Sequence, residues 1–256
     1  MIEQNLSKQP APELDSTNIL GVPVHAVTRA QALDQIALFM SEDNLHQIAT
    51  VNPEFVMKAQ DDLAFRTILE SADLCLADGI GLILASRWLK RPLLERVAGS
   101  DIVYDIASMA SEKGWRLFLL GAQPGVADQA ALILKNEYGD LEIAGTYAGS
   151  PDISEDDHIV QLINNSSADI LFVAYGAPKQ DKWIFRNRAK LPNVRVAMGV
   201  GGSLDFITGR SVRAPGWMQR LGLEWVHRLL KEPWRWRRML VLPKFAVKIV
   251  LSGRRG

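Results

Sequence analysis

With one cysteine, Cys75, in 256 residues, no intramolecular disulfide can form, which suits a reducing compartment. Cys75 also sits inside an apolar run, so a thiol nucleophile is not expected. The four histidines are scattered without metal-ligand spacing, and no Asp-x-Asp pair occurs to hold a divalent metal against a nucleotide diphosphate. Neither a Walker motif nor a Gly-x-Ser-x-Gly elbow is present. Two Gly-x-Gly-x-x-Gly patterns are broken: "GIGLIL" carries Leu84, and "GVGGSL" carries Leu204, where the third glycine would stand. Long apolar runs are missing too. The longest candidate, "MLVLPKFAVKIVL", is interrupted by Pro243, Lys244 and Lys248, and falls short of the roughly 20 residues that span a bilayer. The first 18 residues contain no apolar h-region and are expected to form a flexible leader, not a signal peptide.

Net charge is absent as well, at zero, but it is unevenly distributed. From Arg213 onward there are eleven Lys and Arg against Glu224 and Glu232, which leaves 18 basic and 27 acidic residues before it. The two parts carry about +9 and −9, so the tail is expected to meet an anionic partner. Four of the seven tryptophans lie in the same tail. A hydrophobic content of 48% with 23% charged residues is that of a chain able to bury a core.

From residue 19 the pattern alternates between short apolar strands and helices. "ILGVPVHAV" reads as a strand, and Thr28 with Gln31 forms a capping-box signature for a helix to about Met40. Strands "HQIATVN", "DLCLAD", "WRLFLLG", a weaker one at 141–145, "ADILFVAYG" and "VRVAMGVG" follow, separated by helical stretches. Helices opened by Pro53, Pro124 and Pro178 and stretches near 101–113 and 154–166 supply the alternation. The predicted fold is α/β: a mostly parallel, Rossmann-like sheet covered by helices on both faces, with a basic helical appendage. The predicted division is a leader (1–18), an α/β catalytic core (19–212) and a Trp-rich membrane-associating appendage (213–256). A chain ending near 212 is expected to fold by itself.

In such a sheet ligands bind beyond the carboxyl ends of the strands. There the sequence places Thr50 and Asn52, Asp78, "GAQPG" (121–125), "YGAPKQ" (175–180) and "GVGG" (199–202). Glycine lets the backbone approach a ligand, and helix N-terminal amides suit phosphate. Each feature also has a plain reading as strand-to-helix punctuation, Asp-Gly and Asn-Pro being common turn dipeptides.

Taken together, "TVNPEFV", "LADGIGL", "RVAGSD", "YGAPKQDKWI", "GVGGSLDF" and "RAPGWMQRLGLEWVHRLLKEPWRWRR" resemble the WecG/TagA/CpsF family of bacterial glycosyltransferases, in unbroken order over about residues 19–240. The resemblance implies an inverting, metal-independent transferase with no cofactor. Its donor would be a UDP-sugar, typically of N-acetylmannosamine or its uronic acid. Its acceptor would be a polyprenyl-diphosphate-linked GlcNAc at the inner face of the cytoplasmic membrane, in polysaccharide or teichoic-acid-type synthesis. The family's catalytic carboxylate falls on Asp78, which suits a base taking the acceptor hydroxyl's proton. Asp101 is the rival carboxylate, although a first-turn Asp also stabilises a helix. By position Thr50, Asn52, Gly79, Gly99, Asp101, Gln180, Tyr175 and Asp205 are expected to bind substrate, and Arg96 to meet a diphosphate. Lys179 and Asp181 are expected to be solvated.

In the tail, Trp217, Leu221, Trp225 and Leu229 recur every four positions from Pro215 to Lys231, with basic residues on another face. Interleaved Trp and Lys/Arg point to a helix lying on an anionic membrane; no nucleic-acid reader motif accompanies them. Arg228, Arg235 and Arg238 match the family's "R-L-x-x-E-P-x-R-x-x-R" pattern, and on one continuous helix would form a stripe about 80° wide. They are expected to bring charge to a diphosphate as the tail closes over the rim. The alternatives are an NAD- or nucleotide-binding oxidoreductase on the same fold and a catalytically idle membrane-docked scaffold. A homo-oligomer is compatible with the sequence.

Overall fold

The computed structural model describes residues 14–220, 223–231, 233 and 236–253, without the side chains of Arg220, Arg228, Arg237 and Arg238. The chain opens on an antiparallel hairpin, β1 (Ser16–Ile19) and β2 (Val22–His25). The stretch read as one strand is therefore two, and the hairpin begins three residues inside the segment expected to be leader. Leu20 and Gly21 make the turn, both at positive φ (52° and 88°), as a two-residue hairpin loop requires. The His25 imidazole accepts a bond from the Cys75 amide (2.8 Å), so the hairpin is tied to the main sheet's edge.

The main body then alternates: α1 (Arg29–Phe39), β3 (His46–Val51), α2 (Pro53–Asp61), α3 (Leu63–Glu70), β4 (Leu74–Ala77), α4 (Ile80–Trp88), α5 (Gly99–Lys113), β5 (Arg116–Gly121), α6 (Val126–Glu137), β6 (Glu142–Tyr147), α7 (Asp156–Ser166), β7 (Ile170–Ala174), α8 (Lys179–Asn187), β8 (Val196–Gly199) and α9 (Ser203–Ile207). The capping box forms: Thr28 Oγ1 accepts from the Gln31 amide and Gln31 Oε1 from the Thr28 amide. The six strands pair in parallel in the order β4-β3-β8-β7-β5-β6. Strand residues alternate between the two faces of the sheet, which carry three apolar clusters. Ile48, Leu76, Leu119, Phe172 and Met198 pack with α1, α5 and α6. Ala49, Val51, Cys75 and Ala77 pack with the hairpin, α2 and α3, and Leu120, Val173 and Ala197 with α7 and α8. Burial on both faces explains why the strands read as continuous apolar runs.

The tail forms α10 (Gly216–Arg220), α11 (Glu224–Lys231), α12 (Trp236–Met239) and α13 (Val241–Ser252). The described members of the four-residue apolar period thus fall on two helices, Trp217 on α10 and Trp225 and Leu229 on α11, while Leu221 lies outside the described residues. Among the described residues no single helix carries the arginine stripe: α11 ends at Lys231 and α12 begins at Trp236, past Pro233. Proline removes a donor from the helical ladder. Pro243, by contrast, sits in the first turn of α13, where that donor has no intrahelical use. Phe245 and Ile249 of α13 are buried with Phe55, Val56, Leu82 and Ile83 of α2 and α4, so the end of the chain packs against the core.

Candidate active site

Four adjacent strands, β4, β3, β8 and β7, deliver their carboxyl ends to one cavity of about 870 Å³. Parallel pairing sets this up: Val51 lies beside Ala77, and the Asp78 amide donates to the Val51 carbonyl at 2.7 Å. The first residues beyond β3 and β4 are thereby held side by side. Thr50, Asn52, Asp78, Gly79, Arg96, Gly99, Gln180 and Asp205 all line this space. The β5 end, "GAQPG", does not, so four strand ends converge and not five.

Each polar group has a local reason for its place. Asn52 caps α2, its Oδ1 accepting from the Glu54 and Phe55 amides (3.0 and 3.1 Å). The turn reading therefore holds, with the carbonyl half committed to the cap, and Asn52 also lines the cavity. Gly79 caps α4 at φ 120°, a conformation that side chains rarely adopt. Gly99 is needed for close approach, since a Cβ there would meet Thr50 Cγ2 at 2.9 Å. Gln180, 2% exposed, accepts from the Gly201 amide at 3.0 Å and pins the β8 loop to α8.

Two expected substrate residues are not in the lining. Asp101 turns to Arg213 instead (2.7 Å). Tyr175 lies beside Gly121 and Gly149, and burial raises its phenol well above the usual range. Arg96 lines the cavity but is paired with Glu224 at 2.5 Å. Arg235 lies outside the described residues, as do the side chains of Arg228 and Arg238.

Asp181 departs most from expectation. Its side chain is fully buried instead of solvated, and its two oxygens have no hydrogen-bond partner among the described residues. Desolvation raises its pKa to about 7, against the weaker opposing pull of its own amide and Lys58. Because the folded pKa lies above the unfolded one, the stability contributed is full below about pH 4 and is lost as pH rises through 7. Asp181→Asn is therefore expected to hold its denaturation midpoint between pH 5 and 9 while the parent loses stability. Parallel midpoints across that range would contradict a buried neutral acid.

Sequence reading missed Lys58, Arg210, Arg213 and Glu224, all at the cavity. Lys58 Nζ donates to the Ala177 carbonyl (2.8 Å) and ties α2 to the loop before α8. The arginines after β8 in "TGRSVRAP" were the available signal. The lining also includes apolar side chains: Leu84 and Trp88 of α4, Trp225 of α11 and Leu242, Phe245 and Ile249 of α13. Cys75 does not line the cavity: its thiol is buried, and desolvation raises its pKa far above the usual thiol range. Among the described residues no three His, Cys, Asp or Glu side chains are grouped to hold a metal ion.

Comparison with known proteins agrees with the family resemblance. The family model described as "Glycosyl transferase WecG/TagA/CpsF family" matches residues 17–256. A Bacillus subtilis (strain 168) protein named N-acetylglucosaminyldiphosphoundecaprenol N-acetyl-beta-D-mannosaminyltransferase is 38% identical over 203 residues, 79% of this chain and 78% of its own. A Staphylococcus aureus (strain MRSA252) protein of the same name is 33% identical over 240 residues, 93% of each chain.

Proposed function

The chain belongs to the WecG/TagA/CpsF family of glycosyl transferases, and from that premise we propose that it moves N-acetylmannosamine, or its uronic acid, from a UDP-sugar to a polyprenyl-diphosphate-linked GlcNAc. The observation that carries this reading is the mixed lining of the cavity: polar residues at strand ends, Asp78 among them, together with apolar side chains from α4, α11 and α13. Such a space suits an acceptor that is sugar at one end and hydrocarbon at the other. The oxidoreductase alternative finds no support in the relatives' names, all of which denote a sugar transfer.

In the proposed reaction the acceptor hydroxyl oxygen attacks the donor's anomeric carbon from the face opposite the diphosphate. The C–O bond to the acceptor forms as the C–O bond to phosphate breaks, and UDP leaves with the electron pair. The hydroxyl proton passes to the Asp78 carboxylate, and the anomeric configuration inverts. Thr50, the Asn52 amide and Gln180 would orient the sugar, and Arg96 would meet phosphate. No residue is assigned to a metal.

Among the described residues no helix is long and apolar enough to cross a membrane. The tail nevertheless exposes Trp217, Trp225, Trp236, Leu240, Val247 and Leu251, and α13 also exposes Lys244 and Lys248. This combination supports docking in the plane of an anionic surface, at the inner face of the cytoplasmic membrane, where the lipid-linked acceptor would lie. The test is to incubate the protein with UDP-sugars and a short-chain polyprenyl-diphosphate-GlcNAc, with mass spectrometry and NMR of the product. One added N-acetylhexosamine (or its uronic acid) with inverted anomeric configuration, formed undiminished in excess EDTA, is expected. Absence of product with every UDP-sugar would refute the reading. Loss of activity in EDTA, restored by magnesium or manganese, would refute its metal-free form.

A further inference from the structure

One cluster at the cavity has a role beyond that reading. Arg96 follows α4, Arg213 follows α9, and Glu224 opens α11, yet the three meet at the rim. The Glu224 carboxylate is shared: Oε2 lies 2.5 Å from Arg96 Nη1 and Oε1 lies 3.9 Å from Arg213 Nη2. Arg213 is held in turn by Asp101 at 2.7 Å and by Gln219 Oε1 at 3.2 Å. All four charged side chains are 19–29% exposed, so the pairs are partly desolvated and screened less than surface ones. Gly99 and Ser100, the first residues of α5, face the same cavity, and that helix start has no side-chain cap.

Two guanidiniums converging on a planar carboxylate, beside an uncapped helix start, is the arrangement that binds phosphate oxygens. We infer that Arg96 and Arg213 form a diphosphate subsite which the chain's own Glu224 fills while substrate is absent. Asp101 is then a positioning residue that holds Arg213 at the rim. A diphosphate entering the subsite displaces Glu224, and because Glu224 begins α11, its release frees that end of the helix. Occupation by Glu224 lowers apparent diphosphate affinity by the fraction of time the subsite is filled. The inference rests on the proposed donor and acceptor, each of which supplies a diphosphate.

Calorimetric titration of the full chain with UDP, and separately with a short-chain polyprenyl diphosphate in detergent, reads the subsite without any transfer step. Glu224→Gln is expected to bind the relevant ligand about 5-fold more tightly, the scale of one partly screened ion pair removed as competitor. Arg213→Gln is expected to bind it about 10-fold more weakly. The ligand that responds identifies which diphosphate the subsite takes. Glu224→Asp, which keeps the charge but shortens its reach, gives a second variant and should fall between parent and Glu224→Gln. If Glu224 is only a staple between tail and core, its removal lowers the melting temperature and tightens binding of neither ligand, and the inference fails. Unchanged affinities in Arg213→Gln would also overturn it. A parent protein that binds neither ligand refutes the donor-and-acceptor reading itself, whereas parent binding that the substitutions leave untouched refutes the subsite alone.

Discussion

Asp78→Asn is expected to lower turnover about 10²- to 10⁴-fold while donor affinity stays within a few-fold of the parent, the usual loss for a positioned acid or base. The substitution changes one oxygen to an amide and removes the ability to take a proton at neutral pH. It leaves unaltered the bond from the Asp78 amide to the Val51 carbonyl and the turn at Gly79, φ 120°. The measurement is single-turnover rate and UDP affinity on the same preparation. A variant with full activity would remove Asp78 from the mechanism, and one that loses UDP binding in proportion to rate would make it a binding group instead. Asp101→Asn is the control: it should act through Arg213, moving diphosphate affinity more than turnover.

Removal of residues 213–256 is expected to abolish both vesicle binding and lipid-linked transfer, and also to weaken the core. Sequence reading expected a self-sufficient fold at 212, since the strand pattern is complete by "GVGGSLDF". The structure adds a dependence: Phe245 and Ile249, each 4% exposed, cover apolar surface of α2 and α4. Burying two such side chains stabilises by about 3–6 kcal/mol in total. Phe245→Ala alone should cost about 3–5 kcal/mol as lost burial plus residual cavity, read as a denaturant midpoint at constant slope. A truncated chain as stable as the parent would show that this docking contributes nothing. Vesicle binding by the full chain should weaken with salt, because exposed charges are screened over about 10 Å at 0.1 M. Lys244→Ala and Lys248→Ala should lower vesicle affinity more than turnover on a detergent-soluble acceptor. Ala at Arg228, Arg235 or Arg238 should do the reverse if those residues enter the site. Five variants alike in weakened vesicle binding and unchanged turnover would make the tail an anchor alone.

Sequence by itself determined the layered α/β body, because strands buried on both faces must be apolar throughout, and the capping box of Thr28 and Gln31 marked where the first helix begins. It also placed the candidate site residues on one rim: in a parallel sheet every strand ends on one side, so Thr50, Asn52, Asp78 and Gly201 had to lie near one another if their strands were neighbours. Strand order, which only the folded chain decides, put β4, β3, β8 and β7 together and left the "GAQPG" end of β5 apart. Burial of Asp181 was equally hidden, since a charged residue between two lysines in a helix's first turn reads as solvated until the helix's packing face is known. The docking face of α13 was hidden for the opposite reason: it is apolar on most sides, and the groove between α2 and α4 selects Phe245 and Ile249 over Val247 and Leu251. The contact of Arg96 and Arg213 with Glu224 joins residues 128 and 11 positions apart in sequence, and local periodicity carries no information about such pairs. Tertiary structure decided them, because only closure of the tail onto the rim brings those charges within ion-pair distance.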